Sequence, residues 1–141
     1  MQGFKGIFAT AAVLALALPA VAGPMDMDKP VTMGPLTLAC TGVGSAKDDP
    51  QWQAWPIRIV FSNGAAQFLS GAHVVIAQGG QTVADVDCAA PWVLVKGPAG
   101  NYHVTATMDQ AGVKPASASF SIGGGGQKRV ELQFPALKPN E

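Results

Sequence analysis

The sequence predicts an all-β chain, folded as a seven- to eight-stranded antiparallel β-sandwich with one short helix near residues 48–55. Apolar residues recur with a period of two along most of the chain, as strands with one buried face require. Gly, Pro and Asn break these runs at short intervals, and helical periodicity is almost absent. Many short strands separated by turn residues favour two packed antiparallel sheets.

Residues 1–22 read as a signal peptide. Lys5 precedes an apolar core from Ile7 to Leu18, and Pro19-Ala20-Val21-Ala22 sets small residues before a cleavage point near Ala22-Gly23. About a dozen apolar residues fall short of the ~20 that a spanning helix needs, so no membrane span is expected. A lipid anchor on Cys40 is not supported, because Thr37-Leu38-Ala39 has no Leu three positions before it. The expected location is periplasmic or secreted.

Nine basic and nine acidic residues are spread without a block. That gives no electrostatic basis for binding nucleic acid or an anionic membrane. The length beyond Gly23 suits one domain with its own core. In an exported chain, Cys40 and Cys88 are expected to form a disulfide, with two separate buried thiols as the alternative. A bridge closing about fifty residues is worth roughly 4 kcal/mol in the chain-entropy picture. The two are not a Cys-x-x-Cys pair, so redox catalysis is not supported.

Each element has its own signal. Residues 23–35, with Pro24, Pro30 and Pro35, are expected to be an extended or flexible leader. Residues 36–135 form the sandwich, and 136–141 a C-terminal tail. Leu36, Leu38 and Cys40 mark the first strand, which Gly42 and Gly44 break. Asp48-Asp49-Pro50 is a helix start, and Pro56 limits its run. Ile57, Ile59 and Phe61 mark the next strand, ended by Asn63-Gly64. Ala72, Val74 and Ile76 follow, then a Gly79-Gly80 hairpin turn and a strand framed by Val83 and Val86.

Trp92 to Lys96 is a short strand, and Trp92 is the largest core candidate. After the Gly97-Pro98-Ala99-Gly100 turn come Tyr102, Val104, Ala106 and Met108, then Ala116, Ala118, Phe120 and Ile122. Gly123 to Gly126 breaks the chain, and Val130, Leu132 and Phe134 form the last strand. Pro98 fixes φ in the turn, while Gly97 and Gly100 permit angles that other residues resist. Tyr102 is expected to bury its ring and hydrogen-bond its hydroxyl back to a neighbouring loop.

The order Gly71-Ala72-His73-Val74-Val75-Ile76, a Gly hairpin, Val83 to Asp87, Pro91-Trp92-Val93-Leu94 and Gly97-Pro98-Ala99-Gly100-Asn101-Tyr102-His103-Val104 resembles the carboxypeptidase regulatory-like domain. In that family an apolar residue, one or two prolines, Gly, any residue, Tyr, any residue and Val recur. Gly97 departs from it by standing where an apolar residue or Pro is usual. Pro91-Trp92 and Gly42-Val43-Gly44 resemble an exported proteobacterial subgroup, mostly of unknown function. The resemblance covers roughly Leu36 to Phe134. It implies a transthyretin-like or immunoglobulin-like sandwich acting as an accessory module, without catalytic residues.

Chemistry-bearing residues are sparse. Only His73 and His103 can serve as imidazole bases, and no Gly-x-Ser-x-Gly elbow presents a serine. Gly123 to Gly126 lacks the Lys-Ser or Lys-Thr of a phosphate loop. Asp85 and Asp87 share a strand face but have no evident partner, so a solvated face is expected. Met25, Met27 and Met33, with His73 or His103, are the candidate Cu(I) ligands, because thioethers suit that ion. Trp52 and Trp55 lie three apart and share a face. They are expected to seal one end of the core, and a sugar-stacking platform is the alternative.

The expected function is that of a non-enzymatic, exported interaction or accessory module needing no cofactor. Its expected partner is another envelope or extracellular protein. The alternatives are a periplasmic copper carrier and a carbohydrate-binding module.

Overall fold

In the computed structural model, residues 23–64 and 67–137 are described. The signal-peptide reading of residues 1–22 and most of the tail at 136–141 lie outside them. The chain is a β-sandwich of two sheets. Its strands are β1 (Val31–Met33), β2 (Leu36–Thr41), β3 (Ile57–Ser62), β4 (Ala72–Gln78), β5 (Gln81–Cys88), β6 (Trp92–Lys96), β7 (Gly100–Met108), β8 (Ala116–Ile122) and β9 (Lys128–Gln133). One sheet has the order β1-β2-β6-β3-β9 and the other β5-β4-β7-β8. Alternating apolar residues from both sheets, including Leu38, Ile59, Val74, Val93, Val104 and Leu132, meet between them in one buried cluster.

Several sequence expectations are corrected. Among the described residues nine strands stand where seven or eight were expected, because β1 forms inside the leader. Pairing is not wholly antiparallel, since β9 runs parallel to β3. The polypeptide passes from β8 in one sheet to β9 in the other, so β9 need not reverse direction against β3. The helix near 48–55 is instead two short 3-10 helices, Gly44–Asp48 and Pro50–Ala54. Asp49 caps the second by accepting from the Gln51 backbone N–H at 3.1 Å, with Pro50 at its first position. Bonds from Gln51 hold the Asp49 carboxyl below its ordinary range.

Residues 23–33 are not a loose leader. The Asp87 N–H donates to the Gly23 carbonyl at 2.8 Å, and the Met25 N–H donates to the Asp87 carbonyl at 3.0 Å. The Asp28 N–H donates to the Cys40 carbonyl at 2.8 Å, and β1 then pairs with β2. Asp28 takes a φ of 65°, a region in which Asp is tolerated. Its carboxylate accepts from the hydroxyl of fully buried Thr41. The segment therefore laces β5 of one sheet to β2 of the other. Its prolines suit an extended strap, and only the neighbouring strand edges supply its hydrogen-bond partners. The Cys40–Cys88 disulfide ties the same two strands, as the two cysteines predicted.

The stretch from Trp92 to Val104 looks locally like a hairpin, but β6 and β7 belong to different sheets. The Gly97–Ala99 turn is an arch between layers. Gly97 is needed there for close approach, because a Cβ would lie 2.7 Å from Leu36 Cδ2 and 3.0 Å from the Pro35 carbonyl oxygen. Its φ is not in the left-handed region.

Candidate functional site

Two surfaces carry the residues that could act on a partner. The first is the outer face of the four-stranded sheet. Gly79 and Gly80, with φ of 59° and 82°, make the β4–β5 hairpin turn, and both positive angles demand glycine. Such a turn pairs Gln78 with Gln81 and Ala77 with Thr82, yet the register shifts by one at Ile76/Ala77. Beyond this bulge Ile76 faces Ala84, and His73 faces Asp87 rather than Val86.

The result is a carboxylate clamp. His73 Nδ1 lies 2.6 Å from Asp87 Oδ1, and Nε2 lies 3.0 Å from Asp85 Oδ1. The second contact is misaligned for a hydrogen bond, so Asp85 Oδ1 is shielded from solvent without a hydrogen-bond partner. Asp85 and Asp87 thus have a partner after all. Asp87 holds Nδ1 of His73, Nε2 faces Asp85 Oδ1 without a hydrogen bond, and Thr107 on β7 is the cross-strand neighbour on the other side.

At the far side of this sheet, β8 is the edge. The Ser121 hydroxyl donates to Asn101 Oδ1 at 2.6 Å, and His103 Nδ1 lies 3.2 Å from the Ser119 hydroxyl. Direct contact between cross-strand side chains marks non-hydrogen-bonded pairs, whose backbone groups point away from the partner strand. Consistent with this, the Ser121 carbonyl accepts from Lys128 Nζ at 3.4 Å. The same parity turns the N–H and C=O of Ser117 and Ser119 outward from the sheet. Among the described residues, neither receives another hydrogen bond on that side.

The second surface is the outer face of the five-stranded sheet. Trp52 and Trp55 pack on Ala39 and Leu94, with ring centroids 5.8 Å apart. They are 2% and 5% exposed, so neither offers a face for stacking a sugar, and the carbohydrate platform is corrected to a lid over the sheet. Gln127 fixes the lid by donating to the carbonyls of Trp52 at 2.8 Å and Trp55 at 3.1 Å. Lys96 Nζ sits 4.4 Å from the Trp55 ring centroid.

Trp92 also lies on this outer face rather than between the sheets. Its neighbours Val93 and Val95 point into the core instead. Its ring packs on Gly42, where a Cβ would approach Trp92 Cδ2 to 2.7 Å, and under the Arg58 guanidinium at 4.4 Å. Burial, and then the neighbouring Arg129 charge, push the Arg58 guanidinium below its ordinary range.

The five candidate copper ligands do not converge. Met25 is buried in the core, while Met27 is 46% exposed. The Met33 sulfur accepts from the Asp85 N–H at 3.3 Å. His73 and His103 stand four positions apart along β7 register, about 13 Å at strand spacing. Among the described residues, no three His, Cys, Asp or Glu side chains are placed to hold a metal ion. The leader's ordering against β5 and β2 is what separates its methionines.

Sequence reasoning missed the His73 clamp, the strap and the open β8 edge. The clamp had a signal. Inward residues on β4 and β5 are all even-numbered, whereas a two-residue hairpin at Gly79-Gly80 pairs odd with even. Paired residues must share a face, so a bulge was required. No family model matches the chain, and no curated protein matches it.

Proposed function

We propose that this chain is an exported, non-enzymatic interaction module that holds an extended segment of an envelope or extracellular protein as an added strand on β8. The observation that carries the reading is the outward direction of the Ser117 and Ser119 backbone groups on a strand whose own residues include no charge, proline or bulge. Edges of this kind pair with other strands unless something blocks them. The remaining edges are blocked. The strap pairs with Asp87 of β5 and the Met33 sulfur takes the Asp85 N–H, β1 is three residues long, and β9 carries Lys128, Arg129 and Glu131. The Cys40–Cys88 disulfide fits an oxidising compartment, and the likeness of Gly97 to Val104 to accessory sandwich domains points the same way.

The test is selection of extended peptides from a displayed library on the mature chain, followed by residue-resolved amide exchange. Selected peptides should slow exchange at Ser117 and Ser119 and leave the β4–β5 amides unchanged. Peptides that bind while those two amides exchange at the free rate would refute the reading.

A further inference from the structure

We infer that a strand suited to this edge is β8 of a second copy, paired antiparallel about a two-fold axis through Ser119. The inference rests on the strand-addition reading above and names its partner. A two-fold pairing centred on Ser119 sets residue 118 of one copy against 120 of the other, and 116 against 122. The inward row of β8 is Ala116, Ala118, Phe120 and Ile122, and its burial is uneven along the strand. Phe120 and Ile122 are buried, while Ala116 and Ala118 are half-exposed beside the core. Each large side chain of one copy therefore meets a small, incompletely covered one of the other. Directly opposed side chains are the pairs that stabilise a sheet.

On the outward row, Ser117 faces Ser121 and Ser119 faces itself, so hydroxyls meet hydroxyls. No residue from 116 to 122 is charged, so no like charges oppose at the axis. Phe120 stacks on Tyr102 with centroids 5.5 Å apart and planes 17° apart, which holds its ring within its own sandwich. Pairing would join two four-stranded sheets into one of eight. It has one local cost, because Lys128 Nζ must leave the Ser121 carbonyl. An interface of one strand pair is small beside the ~1,600 Å² of a standard one, so the association is concentration-dependent.

Sedimentation equilibrium of the mature chain from low micromolar to millimolar concentration tests this, with amide exchange on the same samples. The apparent mass should rise towards twice the monomer value as Ser117 and Ser119 exchange slows. Ser119→Pro removes an outward N–H without touching the β7–β8 ladder, and should stay monomeric. Ser119→Glu, which sets two carboxylates against each other at the axis, should do the same if the proline variant is misfolded by near-UV circular dichroism. A constant monomer mass at every concentration overturns the self-pairing, as does a dimer whose Ser117 and Ser119 amides still exchange freely. If the mass is constant but displayed peptides protect those amides, the edge binds foreign strands only. If neither occurs, both readings fall.

Discussion

The Tyr102 hydroxyl donates a 2.8 Å hydrogen bond to the carbonyl oxygen of Pro98, four residues back along the chain. The bond closes the arch that carries the chain from β6 in one sheet to β7 in the other. The ring is 3% exposed, so this one residue fills core volume and fixes the crossing.

Tyr102→Phe keeps the ring and removes the donor to the Pro98 carbonyl. It should cost about 1 kcal/mol, the usual net value of one hydrogen bond. Tyr102→Ala also empties the cavity beside Phe120 and should cost on the order of 3 kcal/mol. Urea unfolding of the two variants checks the ordering. Equal midpoints would mean that the hydroxyl carries the whole effect and the ring none.

Asp28→Ala should loosen the strap and leave the two sheets intact. It removes the carboxylate that accepts from buried Thr41, a loss of roughly 1–3 kcal/mol. Amide exchange is the sharper readout. The Met25 and Asp28 amides should speed up, while β7 amides such as that of Val104 stay protected. Unchanged exchange at Met25 and Asp28 would show that the strap is held by backbone pairing alone.

Stability should fall in acid partly through Glu131. The hydroxyl of buried Ser62 donates to its Oε2 at 2.6 Å, and Gln133 adds a second bond at 3.2 Å. These bonds hold the carboxyl below its ordinary value of 4.5 against a smaller opposing effect of burial, and the Arg129 charge adds the least. A depressed folded value means that the ionised form is favoured by folding. Its contribution is therefore complete above the ordinary glutamate range and is lost as pH falls through the lower folded value. Glu131→Gln should be less stable at neutral pH and should lose less stability on acidification below about 4.5. Parallel stability–pH curves for the two proteins would remove Glu131 from the account.

Much of the fold was legible because it rests on local patterns. Period-two alternation gave the strands and their inward faces, Gly79-Gly80 gave a hairpin, and Asp49-Pro50 gave a helical cap. The surfaces were harder because they depend on register and on what lies over each sheet. Trp52 and Trp55 share a face on either reading, and only the presence of Ala39 and Leu94 beneath them makes that face buried. Trp92 alternates correctly with Val93, but alternation does not say which side of a sheet is the interior when both are covered.

The sequence by itself determined the all-β class, the disulfide partners and the bond from Tyr102 back to its neighbouring turn, since each follows from residue type and near-neighbour spacing. The tertiary structure decided the rest. It placed β6 and β7 in different sheets, ran β9 parallel to β3, and laced residues 23–33 across the edge between β5 and β2. It also brought His73 between Asp85 and Asp87 and left one edge of β8 unpaired among the described strands. Each of these depends on hydrogen bonds between strands distant along the chain, and a backbone N–H carries no mark in the sequence of which strand will accept it.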